Sequence, residues 1–292
     1  MKDLLHNPYF LQFVEGIGYL ILAFILFVLG RLAYHIHRPK IKIRAELVDH
    51  DNLAFALAHT GYFAGLLIVI GGAIMGPSNG FWIDILDISI YGLLAIVLLN
   101  ISIFINDKIV LNKFSVQKEI IRDRNSGTGV VEGAMAITSG LIINGAIIGE
   151  ADNLSFGIIS AIVFWFLGQV FLVIALKLSN LFSTYNIQEQ IEKDNVAVGI
   201  GFSGIIIAIG ILIRFSVEGS FLGWGDSIFY LFFYTLIGLI LLPFARFLCD
   251  KILLPGKNLT DELINQEKPN LGAAIIEAFA YISSAILITW SL

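Results

Sequence analysis

Charge is scarce in this chain of 292 residues, of which only 14% are charged and 57% are hydrophobic. A typical soluble domain has about a quarter of its residues charged, so the composition indicates a protein whose main solvent is lipid. The single cysteine, Cys249, cannot form a disulfide within the chain and therefore gives no information on the redox compartment. The net charge of −5 gives no reason to expect a nucleic acid as a partner.

Catalytic signatures and strand patterns are missing from the sequence as well. It has no Walker loop, no Gly-x-Ser-x-Gly turn, no Cys-x-x-Cys pair and no His-Glu-x-x-His motif. His35 and His37 lie among basic residues, which oppose the binding of a metal cation. We therefore expect neither an enzyme nor a metal or cofactor site. The alternation typical of transmembrane strands is also absent, which argues against a barrel.

Long apolar runs dominate what is present. A helix that crosses a membrane needs about 20 mostly apolar residues, and eight segments meet this requirement. They cover roughly 10–36, 53–75, 88–111, 128–149, 156–182, 196–217, 228–254 and 271–292. No small-residue cleavage site follows the first run, so we predict a retained helix rather than a signal peptide. The predicted fold class is an all-α integral membrane protein.

Basic residues are distributed unevenly between the two sides of these helices. Sixteen of the eighteen Lys and Arg residues lie on the side of the connections that follow the odd-numbered helices, and only Lys2 and Arg214 lie on the other. Cytoplasmic connections carry the excess of basic residues in membrane proteins. The asymmetry therefore predicts that both termini lie on the non-cytoplasmic side of the membrane.

The two halves of the chain resemble each other. "DNLAFALAHTG" at 51–61 aligns with "DNVAVGIGFSG" at 194–204, and "DKIVL" at 107–111 aligns with "DKILL" at 250–254. "NSGTGVVEG" at 125–133 aligns with "NLGAAIIEA" at 270–278 after a shift of two residues. These collinear matches predict a duplication with two four-helix repeats, 1–150 and 151–292. Because each repeat has an even number of spans, both should point the same way and be related by a pseudo-twofold axis along the membrane normal.

A pair of glutamates, Glu132 and Glu277, occupies matching places inside the fourth and eighth apolar segments. Residues seven apart share a helix face to within about 20°, and this spacing gives each copy a stripe of Asn, Glu and Ser. The stripes consist of Asn125, Glu132 and Ser139, and of Asn270, Glu277 and Ser284. Ionisable groups inside a membrane are costly and usually functional, which indicates ion binding or proton relay. The alternative is that both glutamates hold helices together through hydrogen bonds.

On the functional interpretation, we expect the fourth and eighth helices to approach each other or a common cavity, with both carboxylates turned inward. His59 is a further candidate for proton relay, because it lies on a comparable face at the depth of Glu132. A buried, hydrogen-bonded histidine is the alternative. Its counterpart in the second repeat is Phe202, so the site would be asymmetric.

Polar residues at helix starts are the remaining candidates, namely Asn52, Asn195, Asp51 and Asp194. Asn and Asp at such positions usually cap a helix. A role at a pore mouth, or as ligands of an ion, is the other interpretation.

The same residues carry a likeness to a known family. In each half, an Asn-[Leu/Val]-Ala motif with a downstream Gly opens the second helix, and an Asn-x-Gly motif leads to a Glu in the fourth. These residues are Asn52, Ala54, Gly61, Asn125, Gly127 and Glu132, followed by Asn195, Ala197, Gly204, Asn270, Gly272 and Glu277. The pattern resembles two tandem copies of the bacterial inner-membrane family catalogued as domain of unknown function 350. The resemblance implies a fold and a location in the bacterial inner membrane, and it implies no settled activity.

Together these features favour a small channel or transporter for protons or monovalent cations, with Glu132 and Glu277 as the intramembrane site. The alternative is a non-transporting scaffold, or a partner in membrane stress, whose cytoplasmic connections recruit other proteins. Those connections are only about 13–22 residues long, which is too short for a soluble domain and favours transport. The expected partners are the lipid bilayer and a proton or monovalent cation, and the sequence leaves a homo-oligomer open.

Overall fold

The eight predicted spans are all helices in the computed structural model, which describes residues 8–148, 153–219, 221, 223–253 and 256–292. The spanning helices are α1 (Pro8–His37), α2 (Leu53–Ile74), α3 (Phe81–Ile109), α5 (Ser126–Ile147), α6 (Leu154–Phe182), α8 (Val196–Val217), α9 (Trp224–Leu248) and α11 (Leu271–Ser291). Short helices precede three of them: α4 (Val116–Ile121), α7 (Ile187–Glu192) and α10 (Leu259–Ile264). All eight are long and apolar enough to cross a membrane, which confirms the all-α membrane fold class.

One helix boundary differs clearly from its prediction. The third span begins at Phe81 rather than near residue 88, so Asp84 lies inside the first turn of α3 and is buried. Its carboxylate accepts hydrogen bonds from Tyr19 Oη at 2.7 Å, from Ser78 Oγ at 2.6 Å and from the backbone N–H of Asn79 at 2.8 Å. The apolar run at 88–111 had predicted that Asp84 would lie outside the span. The carboxylate is tolerated inside the helix because these donors replace water.

The spanning helices form two layers. In the first layer, which we call the inner row, α2 packs against α5, α5 against α8, and α8 against α11. The second layer, the outer row, consists of α1, α3, α6 and α9. Each of the last three outer-row helices packs against two neighbours of the inner row. Helix α3 contacts α2 and α5, helix α6 contacts α5 and α8, and helix α9 contacts α8 and α11. The central helices α5 and α8 are consequently the most buried of the eight spans.

The four inner-row helices begin in the same way. An asparagine precedes each one, and its side-chain oxygen accepts the N–H of the third residue beyond it; these caps are Asn52, Asn125, Asn195 and Asn270. The residue before the cap adopts a left-handed conformation at Asp51, Arg124 and Asp194, with φ of 46°, 53° and 57°. Proline cannot adopt that conformation, and the fourth helix start, which has Pro269 at this place, has a longer connection. The caps therefore mark where each inner-row helix begins.

The cap asparagines also join successive helices of the inner row. Three of them donate their side-chain N–H to a carbonyl in the short helix ahead of the next inner-row helix. The bonds are Asn52 to Ile120 at 2.9 Å, Asn125 to Ile191 at 2.7 Å and Asn195 to Leu263 at 2.9 Å. The chain therefore consists of four helix pairs (α1–α2, α3–α5, α6–α8 and α9–α11) joined by one recurring contact, and each four-helix repeat contains two such pairs.

Small residues determine how closely the inner row packs. A Cβ on Gly129 of α5 would touch the backbone of Ala54 in α2, and a Cβ on Gly199 of α8 would lie 2.8 Å from the carbonyl oxygen of Gly127 in α5. Both contacts have the same register. Ala54 and Gly127 are each the second residue after a cap, and their partners, Gly129 and Gly199, are each the fourth residue after the next cap. Close backbone approach of this kind is a main source of helix association in lipid.

The two four-helix repeats meet through α5 of the first and α8 of the second. A closed twofold pair would bring α2 and α11 together in the same way, but no such packing joins these two helices in the part of the chain that the structure describes. The two repeats therefore follow one another in an open row. The fourth and eighth spans do not pack directly on each other, because α8 lies between α5 and α11. Both carboxylates are nevertheless buried, as expected, with Glu132 6% and Glu277 3% exposed.

Candidate functional site

Glu132 is buried within a cluster of three charged side chains at one end of the bundle. Its Oε1 atom is ion-paired with Arg38 Nη2, and the same nitrogen donates to Asp107 Oδ2 at 3.1 Å. Both Glu132 and Arg38 are less than 10% exposed, whereas the Asp107 side chain is 23% exposed. Two carboxyl groups thus share one guanidinium. When both are ionised, these three side chains carry a net charge of −1.

The cluster combines three helices that end or begin on the same side. Arg38 directly follows α1, Asp107 lies in the last turn of α3, and Glu132 lies in the second turn of α5. Burial lowers the pKa of the Arg38 guanidinium, but the neighbouring carboxylates, Glu132 foremost, outweigh it and raise the pKa above its ordinary value. Arg38 therefore stays charged and neutralises one of the two carboxylates.

Aromatic side chains enclose the buried side of the cluster. Arg38 lies 5.8 Å from the ring centre of Tyr34, and the Tyr34 ring contacts that of His59 at 4.9 Å. His59 is further surrounded by Phe55 and Phe63, at 5.0 and 4.7 Å between ring centres. These contacts place His59 in an aromatic pocket next to the charged cluster.

Three buried polar atoms around this cluster have no hydrogen-bond partner among the described residues: Glu132 Oε2, Tyr34 Oη and His59 Nδ1. A buried polar atom without a partner costs about 1–3 kcal/mol. Such atoms are uncommon in proteins unless water, an ion or a functional requirement accounts for them. The cluster therefore has unused capacity to bind a proton or a small cation.

Polar side chains continue from the cluster towards the middle of the bundle. Asn106 Nδ2 donates to Ser139 Oγ at 3.1 Å, and one turn away Trp165 Nε1 donates to Ser102 Oγ at 2.8 Å. Gln169 lies one turn beyond Trp165 on the parallel helix α6, at about the level of Asn106, and is 3% exposed. The Asn106 Oδ1 atom and both side-chain polar atoms of Gln169 lack partners among the described residues. A buried polar strip thus extends inward between α3, α5 and α6.

Glu277 lies in a different setting. Its Oε1 atom is 3.6 Å from Arg246 Nε, and this arginine comes from α9 rather than from the helix that corresponds to α1. A cavity of about 110 Å³ borders the pair and is lined in part by Tyr185, Tyr281 and Ser179. Burial raises the pKa of Tyr185 to about 12, with the Glu277 carboxylate adding to the effect. Its hydroxyl is therefore neutral at physiological pH.

The other polar residues singled out in the sequence, namely two serines, four asparagines and two aspartates, make local contacts in the structure. Ser139 is fully buried and accepts the bond from Asn106, whereas Ser284 is only half-buried in α11. The four asparagines act as caps, and Asn52, Asn125 and Asn270 also donate to the carboxylates of Glu46, Glu119 and Glu262, at 2.8, 3.1 and 2.9 Å. Asp51 and Asp194 adopt the left-handed turn before a cap, and Asp194 Oδ1 accepts the N–H of Gly127 at 3.5 Å.

Sequence reasoning did not identify Arg38, Asp107 or Arg246 as site residues. All three looked like ordinary charges at the ends of apolar segments, where basic residues indicate orientation. A signal was available for Asp107, since it belongs to the "DKIVL" segment that recurs in the second half. No sequence signal pairs Arg38 with Glu132, because 94 residues and three connections separate them.

Comparison with known proteins gives the family. The model of the family described as Domain of Unknown Function (DUF350) matches residues 9–147 and again residues 153–292. The chain belongs to DUF350. The tandem resemblance seen in the sequence is thereby confirmed.

A relative of this DUF350 protein has also been recognised. The chain is 25% identical over 249 residues to the UPF0719 transmembrane protein of Aquifex aeolicus (strain VF5), an alignment that covers 84% of this chain and 88% of the relative. The relative's name agrees with a multi-pass membrane protein. No solved structure matches the chain.

Proposed function

We propose that this protein moves protons or monovalent cations across the bacterial inner membrane, with Glu132 as the central binding group. In this proposal both termini lie on the non-cytoplasmic side, so that the charged cluster faces the cytoplasm. The chain acts through binding and transfer rather than through covalent catalysis.

The charge of the Glu132 cluster is the observation that carries the proposal. Two carboxyl groups, Glu132 and Asp107, face a single guanidinium, Arg38. A buried carboxylate that no counter-charge balances is expensive, and a proton or a small cation removes this cost. Glu132 Oε2 is buried and has no partner in the described chain, which makes it the atom best placed to receive that proton or cation.

The polar strip beyond the cluster supports movement rather than binding alone. Asn106, Ser139 and Gln169 place amide and hydroxyl groups deeper between the helices, where an apolar core would otherwise be expected. Intramembrane polar groups of this kind commonly mark ion pathways and proton relays. The strip begins next to Asp107, so it would lead inward from the cytoplasmic cluster.

The Glu277 site has a secondary role in this proposal. Glu277 is ion-paired with Arg246, an arginine of α9, whereas Arg38 directly follows α1. The sequence suggested two equivalent glutamates, whereas the different arginine donors favour a single principal site.

Ion flux into liposomes containing the purified protein tests the proposal. An interior pH dye or a potassium-selective dye would report uptake driven by a membrane potential. We expect flux with the unmodified protein and a reduction of about tenfold or more in E132Q and in D107N, because each variant removes the uncompensated charge. A tenfold reduction corresponds to a loss of about 1.4 kcal/mol in the binding of the proton or cation. D226N removes an exposed carboxylate at the other end of the bundle and should retain full flux.

Two results would contradict the proposal. Absence of flux from well-folded protein for protons, sodium and potassium would favour the non-transporting scaffold. Equal flux in E132Q, D107N and the unmodified protein would remove the cluster from the pathway. Size-exclusion profiles and thermal unfolding in detergent show whether each variant is folded.

A further inference from the structure

The inner row ends abruptly at α2 and at α11, although the contacts that build it could continue. The second residue after each cap is small (Ala54, Gly127, Ala197 and Gly272), and so is the fourth (Ala56, Gly129, Gly199 and Ala274). Ala54 meets Gly129, and Gly127 meets Gly199. The same register pairs Ala197 with Ala274, both of which are fully buried. Among the residues that the structure describes, Ala56 and Gly272 are left without a counterpart in this register.

These two residues lie at the open ends of the row. Gly272 is exposed, and an added Cβ there would meet only the side chain of its own cap, Asn270. At the equivalent Gly127, an added Cβ would instead lie 3.3 Å from the Asn195 carbonyl of the next helix. Ala56 is half-buried, whereas Gly129 and Gly199 are covered. One chain thus presents both halves of a contact that it uses internally.

The hydrogen bonds between helix pairs end in the same places. Asn270 is an exposed cap whose amide donates to Glu262, and within the described residues it donates to no carbonyl of another helix. The other three caps donate to the carbonyls of Ile120, Ile191 and Leu263. Each of these residues directly follows Glu119, Gln190 or Glu262 in the chain. The equivalent residue in the first helix pair is Leu47, which follows Glu46 and is 37% exposed.

Apolar side chains extend both open faces towards the other side of the membrane. Phe279 and Leu287 of α11 are 62% and 58% exposed, and Leu53 and Leu67 of α2 are 60% and 58% exposed. Their counterparts in the internal contact between α5 and α8, such as Ala134 and Gly210, are buried. The two open faces therefore match in register but carry larger side chains than the internal contact between α5 and α8. The closest approach between two helices joined through these faces would be confined to the cap end.

We propose that a second copy of this chain occupies the open face, with α11 of one copy packed against α2 of the next. Gly272 of one copy then meets Ala56 of the other, and the Asn270 amide donates to the Leu47 carbonyl. Unlike faces meet, so the interface is heterologous and can close into a ring or extend as an array. The inference goes beyond the proposed transport function and does not depend on it.

Disulfide crosslinking between two differently tagged copies tests this arrangement in the native membrane. One copy carries A56C and the other carries G272C, both in a C249S background. A Cβ on Gly199 would lie 2.9 Å from the Cα of Gly127, so cysteines at the equivalent open positions should be close enough to bond. We expect a crosslinked species with both tags from the mixed pair. Neither variant alone should give one, because the interface joins unlike residues.

Matched controls identify the register. A chain with both A197C and A274C should form an internal disulfide, because this pair lies in the third internal contact. G272C paired with L181C, an exposed residue at the same end of α6, should not crosslink. The proposal would be overturned if the A56C and G272C pair gave no more crosslinked species than the L181C and G272C pair. Crosslinking of either variant alone would overturn it as well.

The mass of the protein in lipid nanodiscs gives a second readout that needs no cysteine. We expect more than one copy per particle for the unmodified protein and a shift to single copies in G272W. An added Cβ at Gly272 would meet only Asn270 Oδ1 of its own cap, at 3.3 Å, so we expect the larger side chain to leave the packing of its own chain undisturbed. A single-copy mass for the unmodified protein would contradict the inference, even if ion flux were observed.

Discussion

Single side chains have several roles in this protein, and the cap asparagines show this most clearly. The oxygen of Asn125 accepts the N–H of Thr128 at 2.8 Å, while its amide reaches Glu119 at 3.1 Å and the Ile191 carbonyl at 2.7 Å. The capping role could be predicted, because Asn at a helix start is a common cap. The bond across to Ile191 could not be, because it depends on which helices become neighbours.

The two roles can be separated by N125S. Serine keeps the capping oxygen but lacks the amide, so the Ile191 carbonyl and the Glu119 carboxylate each lose a buried donor. We expect a loss of about 1–3 kcal/mol, the usual penalty for leaving a buried polar group unpaired, measured as a lower thermal midpoint in detergent. N153S is the control, since Asn153 is an exposed cap of α6 whose oxygen accepts the N–H of Phe156 at 2.9 Å. Equal losses in both variants would mean that only capping matters at Asn125.

The charged cluster shows the same division between what sequence and structure reveal. Glu132 could be identified from its own segment, because a carboxylate stands out in an apolar run. Arg38 and Asp107 lie where charged residues are normal, at the ends of spans. Their partnership with Glu132 appears only once α1, α3 and α5 are brought together.

At the scale of helices, the spans follow from apolar length, whereas the order of packing does not. Most predicted boundaries agree with the helices to within a few residues, and the clearest exception, α3, extends further because Asp84 is satisfied locally. The spacing of small residues indicated close packing but not its direction. Gly129 faces the helix before it and Gly127 the helix after it, and this difference makes a row rather than a pair.

Glycine substitutions in the inner row should depend strongly on the side of the helix. In G199A the new Cβ would lie 2.8 Å from the carbonyl oxygen of Gly127 and force α5 and α8 apart. G71A adds the same group to α2, where nothing lies within 4 Å. We expect G199A to lower the thermal midpoint in detergent and G71A to leave it unchanged or raise it slightly, because alanine favours a helix by about 1 kcal/mol over glycine. Similar stability of the two variants would argue against the close contact.

At the scale of the whole molecule, orientation rests on the distribution of basic residues. Sixteen of the eighteen Lys and Arg residues lie on the side where the inner-row helices begin, which also holds the Arg38 cluster. Because charge bias acts on every connection independently, it predicts that this side faces the cytoplasm. The relation of the two repeats was harder to predict, since duplication alone does not say which surfaces meet.

Impermeant thiol labelling of intact cells tests the orientation. Cysteines at residues 2 and 292, in a C249S background, should react from the outside without permeabilisation. A cysteine at position 257, in the connection between α9 and α11, should react only after the membrane is opened. If both termini were protected and position 257 were labelled from the outside, the orientation would be the opposite of the one predicted. The charged cluster would then face away from the cytoplasm.

The bonds that join the helix pairs also bear on how the chain folds. They link residues separated by 68, 66 and 68 positions, so each new pair closes a loop of nearly the same length. Loop-closure entropy is therefore similar at every step, and each pair interacts mainly with the pair made just before it. Proteins built in this way approximate a one-dimensional array, in which stability is a sum of unit and neighbour terms. Deleting the last helix pair should then remove one neighbour term and leave the earlier pairs assembled, so cooperativity extends over neighbours rather than over all eight spans.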